Sequence, residues 1–127
     1  MITQYQVHSL LAETLPQLPL ETYPSSVSLE IYVSINCLTN YTRHVFQKGN
    51  YNELKKCFLI AENLYLNGNG MVHLLMDDIF IDSFASFMSP VGAEMLMIKS
   101  ILPDTLYKAY RKHSLKLIAN NYKNKLS

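Results

Sequence analysis

Tryptophan is absent from the 127 residues of this chain, glycine occurs four times and cysteine twice. So few glycines leave little room for the positive-φ turns of a hairpin-built β protein. Two cysteines allow one disulfide at most. Cys37 and Cys57 both fall within apolar helical patterns, where a thiol serves as a small buried hydrophobe. Neither sign of charge dominates, since 11 Lys and Arg face 10 Asp and Glu. The net charge of +1 supplies no global attraction to nucleic acid or anionic membrane. The longest purely apolar runs, such as residues 57–61, are about a third or less of a membrane or secretory segment. A cytoplasmic protein is expected, with no membrane partner.

Chemical motifs are missing too. The chain has no GxxxxGK followed by Ser or Thr, no spaced dinucleotide glycines after a strand, no HExxH and no CxxC. The paired Glu-x-x-His elements of a di-iron bundle are also lacking. From the sequence no catalytic residue, cofactor or metal set is assigned.

What is present is apolar spacing of three and four residues. Val7, Leu10, Leu11 and Leu15 predict a first helix over residues 2–15, ended by Pro16 and Pro19. A Pro- and Ser-containing linker follows to residue 26, where Ser25 or Ser26 is placed to cap the next helix. That helix is expected over 27–47, with Leu29, Tyr32, Val33, Asn36, Cys37, Asn40, Tyr41 and Val45 near its core stripe. A strand competes at residues 29–35, but length and the lack of turn signals favour helix. Gly49 suits a C′ stop, and Asn50 with Glu53 has capping-box spacing. A third helix then starts near Tyr51 and ends near Leu66 or Asn67, burying Leu54, Cys57, Phe58, Ala61, Leu64 and Tyr65.

Two apolar-periodic stretches meet at Asn67-Gly68-Asn69-Gly70. Helical period on both sides rules out a type I′ hairpin, so Gly68 is read as a C′ stop and Asn69 as an N-cap. The fourth helix, residues 71–88, is expected to bury Val72, Leu75, Ile79, Phe80, Ser83, Phe84 and Phe87. Ser89, Pro90 and Gly92 interrupt the pattern before a short apolar helix at 93–101. After Pro103, Asp104 opens a last helix with Leu106, Tyr110, Leu117 and Ile118 inward. The expected fold is all-α, one domain, an irregular bundle of five to six helices in which HEAT-like antiparallel pairs can form. Residues 1–26 supply the N-terminal helix and linker, 27–119 the helical core, and 120–127 a polar tail.

Charge is divided along the chain. Residues 51–88 hold five acids against two lysines, a balance of −3, and residues 89–127 hold seven bases against two acids, a balance of +5. Glu62, Asp77, Asp78 and Asp82 form the candidate protein-binding surface. Lys108, Arg111, Lys112 and Lys116 superpose at helical offsets as a candidate basic patch, which reads as a solvated face or a partner to the acidic one. Nucleic acid is disfavoured by the neutral total. His73 and Asp77, one turn apart, suit one metal ion between them, but two ligands do not complete a zinc site. His8, His44 and His113 have no nucleophile motif beside them. The nine tyrosines favour a protein interface.

The run LKKCFLIAENLYLNGNGMVHLLMDDIFIDSFASFM, followed by LPDTLYKAYRKH, resembles small α-helical proteins of bacteria over roughly residues 50–113. The matching positions include Leu54, Phe58, Glu62, Asn67, Gly68, Val72, Phe80, Phe84, Leu102 and Pro103. Some similar proteins are toxin-immunity proteins, and the resemblance implies inhibition by binding a partner toxin. The functional expectation is therefore a non-enzymatic protein-binding module, and an immunity-type inhibitor in its sharpest form. The alternatives are a self-associating structural or regulatory domain, involving the fourth helix or Met95 and Met97, and a small metal-dependent enzyme using His73 and Asp77.

Overall fold

The computed structural model describes residues 1–20, 27–87 and 93–126. Among these the helices are α1 Val7–Thr14, α2 Val27–Gln47, α3 Tyr51–Asn67, α4 Gly70–Leu75, α5 Asp82–Phe87, α6 Ala93–Ile101 and α7 Asp104–Leu126. A π-helical segment, Met76–Ile81, joins α4 to α5, so residues 70–87 form one helical rod. No strand occurs among the described residues, and the all-α bundle expected from apolar spacing is what forms. Several local expectations fail, each for a physical reason.

The first concerns the N-terminus. Residues 2–6 are not helical; Ile2 makes a parallel bridge to Gly68. Its amide donates to the Asn67 carbonyl at 2.6 Å, and its carbonyl accepts from the Asn69 amide at 2.7 Å. Asn69 Nδ2 adds a bond to Gln4 Oε1 at 2.6 Å. The α3–α4 loop thus offers backbone partners that a helix over residues 2–6 would have to forgo.

Both glycine stops are real, by different means. Gly49 has φ of 72°, and the amides of Gly49 and Asn50 reach the carbonyls of Phe46 and Val45 at 3.1 and 3.2 Å, closing α2 with a Schellman motif. Gly68 is extended, with φ −70° and ψ 150°, so it is not the left-handed stop that the pattern suggests. Its glycine is needed for space, because a Cβ there would collide with the Leu64 carbonyl oxygen and the Val72 side chain. Asn69 does cap α4, accepting from the Val72 amide at 3.0 Å.

On α2 the expected stripe is rotated. The buried face holds Ile31, Ser34, Ile35, Leu38, Thr39, Thr42 and Val45, whereas Tyr32 and Asn40 are exposed and Cys37 and Tyr41 half-buried. Thr39 and Thr42 enter the core because each hydroxyl donates to a carbonyl one turn back, Ile35 at 2.8 Å and Leu38 at 2.7 Å. Satisfied in this way, a hydroxyl costs little to bury.

The core is shared by α1, α2, α3, the rod, α6 and α7. Val7, Leu11 and Leu15 meet Leu54, Cys57, Phe58, Ala61 and Leu64 of α3, along with Val72, Met76, Phe80, Ile81 and Phe84 of the rod. Phe84 packs edge-on against Phe58 at 5.5 Å and Tyr110 at 5.4 Å, tying α3 and α7 to the rod. Burial of each large apolar side chain contributes roughly 1.5–3 kcal/mol. Within the rod, Leu75, Ile79 and Ser83 are only half-buried, and Met76 and Ile81 take core positions that an uninterrupted α-period assigns elsewhere. The last helix runs to Leu126, through the segment expected as a polar tail. The side chains of Leu29, Phe87, Leu117 and Ile118, and the expected breaks at Ser25 or Ser26 and at 89–92, lie outside the described residues.

Candidate functional site

The four acidic candidates do not share one environment. Asp77 and Asp82 stand five residues apart, about 140° apart on an α-helix. The i→i+5 bonding of the π-segment widens the turn and brings residues five apart nearly into line. Both carboxylates thereby reach one imidazole of α7. His113 Nε2 lies 3.0 Å from Asp77 Oδ1, and His113 Nδ1 lies 3.7 Å from Asp82 Oδ1. The first of these is a hydrogen bond, and Asp82 faces the other ring nitrogen just beyond hydrogen-bond distance. His113 is 12% exposed, so this clasp forms part of the α7 seam with the rod.

Asp78, next to Asp77 in the chain, is exposed, and Glu62 is half-buried on α3. Apolar side chains stand beside them. Leu59 and Leu66 are about half exposed and bracket Glu62 on one face of α3. Along the rod Met71 and Leu74 of α4 and Asp78 of the π-segment follow offsets of three and four, with Leu74 at 55% exposure. The α3 row and the rod row thus each set exposed apolar side chains beside one carboxylate.

His73 and Asp77 are committed to different neighbours. The Nδ1 of His73 bonds the Tyr65 carbonyl at 2.8 Å while its ring packs on the Tyr65 ring at 4.4 Å, and Asp77 goes to His113. Burial raises the Tyr65 phenol above its ordinary value, and the nearby Asp77 charge adds to the shift. Among the described residues, no group of three or more His, Cys, Asp and Glu side chains is arranged to hold a metal ion.

The basic candidates do share a face. Lys108, Arg111, Lys112 and Lys116 are all exposed on α7, with Leu115 between them at 60% exposure. Lys108 pairs with Asp104 one turn back at 3.4 Å. Arg111 and Lys99 flank the Tyr107 ring at 6.0 and 5.2 Å from its centroid. That ring is half-buried beneath two cations and has little free face for a stacked base.

One feature escaped the sequence. A cleft of about 450 Å³ runs between Pro19 and Leu20 and the α2 row Cys37, Asn40, Tyr41 and His44. The row has offsets of three, four and seven, which on sequence alone reads as a core stripe. Tyr41 donates to Glu53 at 2.8 Å, which draws Glu53 away from the reciprocal half of its capping box. The Asn50 amide needs no such partner, having bonded Val45. Burial, with the Glu53 carboxylate second, pushes the Tyr41 phenol up to about 12. Cys37 and His44 sit two turns apart, roughly 10 Å along the helix, so they do not form a nucleophile–base pair.

These features define an all-α bundle with exposed leucines and carboxylates on α3 and the rod and a row of exposed cations on α7. The chain belongs to the family of DUF7674, a domain of unknown function, whose model matches residues 8–117. No curated protein and no solved structure matches it.

Proposed function

We propose that this chain is a non-enzymatic protein-binding module, an inhibitor of the toxin-immunity kind, that presents the α3–α4 surface to a basic partner. The observation that supports this most is the exposure of Leu66 and Leu74, each 55%, beside Glu62 and Asp78. Exposed apolar side chains gathered between like charges are a common composition for a contact surface. The leucines supply desolvated contact, and the carboxylates accelerate encounter and select a basic partner.

The experiment is capture from a native lysate with the tagged chain at low and high salt, with mass spectrometry of what is bound. A stoichiometric basic protein released by salt is expected. Glu62→Lys with Asp78→Lys should weaken its binding at least about tenfold and leave the helical circular dichroism unchanged. A partner held equally well by this double variant would remove the α3–α4 surface from consideration.

A further inference from the structure

The acidic and basic surfaces raise a question of their own, because they do not neutralise each other within the molecule. Among the described residues no ion pair joins Glu62 or Asp78 to Lys112 or Lys116. The elements carrying them are nevertheless in contact, since α7 packs on α5 and on the π-segment. His113 crosses that seam to Asp77 and Asp82. Each charged face also carries an exposed leucine within its row, Leu74 one turn before Asp78 and Leu115 between Lys112 and Lys116.

We propose that two copies of this chain form a closed two-fold dimer, the α3–α4 acidic face of each lying against the α7 basic face of the other. Two opposite patches on packed, neighbouring elements are self-complementary under a two-fold rotation, which makes both contacts at once. The occupant follows from charge: the face that best fits a row of Lys112, Leu115 and Lys116 is an acidic one with a leucine of its own, and the chain carries it. A net charge of +1 adds almost no long-range repulsion between copies. Leu96, 71% exposed on α6, stands one turn before Lys99, which reaches the Tyr107 ring of α7. This proposal does not rest on a foreign partner; such a partner on α3–α4 would compete with the second copy for Asp78.

Sedimentation equilibrium of the full chain at about 100 μM tests it. In low salt the mass should be that of two copies, and about 0.5 M salt should weaken association at least tenfold by screening the rows. Glu62→Lys with Asp78→Lys, and separately Lys112→Glu with Lys116→Glu, should each give a monomer with unchanged helical content. Mixed one to one, the two variants should return to the mass of two copies, because each then meets an opposite face at both contacts. Leu115→Gln reverses no charge and serves if a charge-reversed variant does not fold; it should weaken association about tenfold. A wild-type monomer under these conditions overturns the proposal. So does a mass climbing past two copies, or a mixture of folded variants that stays monomeric. Failure to capture a lysate partner leaves the dimer untouched, and a monomeric wild type leaves the partner reading untouched.

Discussion

Gly49 and Gly68 are the same residue type at the ends of consecutive helices, and they are required for opposite reasons. At Gly49 the cost of a side chain is conformational, since φ is 72° and nothing lies within 4 Å of an added Cβ. Gly49→Ala should therefore destabilise by about 1 kcal/mol. At Gly68 the backbone suits any residue, but an added Cβ meets the Leu64 carbonyl and Val72. Gly68→Ala should cost more, about 2–3 kcal/mol, because backbone and a buried valine must shift. Urea midpoints of the two variants check the order, and an equal loss would contradict the steric account. Both stops were legible in the sequence as glycines after an apolar period. The reason for Gly68 was not, because it depends on how closely α4 turns back over α3.

At the scale of the element, helices were legible and their rotation was not. The bounds of α2, α3 and α6 match those expected from the pattern, with Gly49 closing α2 and Asn50 opening α3. The inward face of α2 was misplaced because Thr39 and Thr42 look polar in the sequence, and only their bonds to Ile35 and Leu38 make them core residues. Thr39→Val and Thr42→Val should each stay within about 1 kcal/mol of wild type, since the carbonyl left behind keeps its helix partner. Ile35→Ala should cost about 2–5 kcal/mol. Thermal or urea unfolding distinguishes the two groups, and a large loss in either valine variant would mean that the hydroxyls bear more than their own burial. The rod was similarly read with one α-period throughout. The π-segment adds a residue to a turn, which buries Met76 and Ile81 and aligns Asp77 with Asp82. Nothing in MDDIFI announces this segment, and the imidazole its acids face lies more than thirty residues later. Of the candidate site, the charge division was legible, while the α2 cleft and the clasp required partners distant in sequence.

For the whole molecule, stability should decline in alkali earlier than exposed groups would cause. Burial pushes the Cys57 thiol from 9.0 up to about 11, and the Tyr41 phenol goes from 10.0 to about 12. Between about pH 9 and 12 the folded chain thus holds protons that the unfolded chain has released. More protons bound to the native state means that stability falls as pH rises. The contribution is complete below about pH 9 and is lost through pH 11 for Cys57 and 12 for Tyr41. Urea midpoints at pH 8, 10 and 11 should fall in that order, and Tyr41→Phe with Cys57→Ala should flatten the series. An unchanged slope in that double variant would assign the loss to other groups.

The loop at residues 67–70 also governs how the protein ages. Asparagine followed by glycine is prone to deamidate, because the glycine nitrogen is open to attack the side-chain amide and close a succinimide ring. Here the Gly68 nitrogen is bonded to the Leu64 carbonyl at 3.0 Å, and the Asn67 side chain is held by Asn63 at 2.7 Å. The ring cannot close until the end of α3 opens. Isoaspartate at position 67 would accordingly accumulate in proportion to the fraction of time that helix end is open, turning a slow covalent change into a record of how open the molecule stands there.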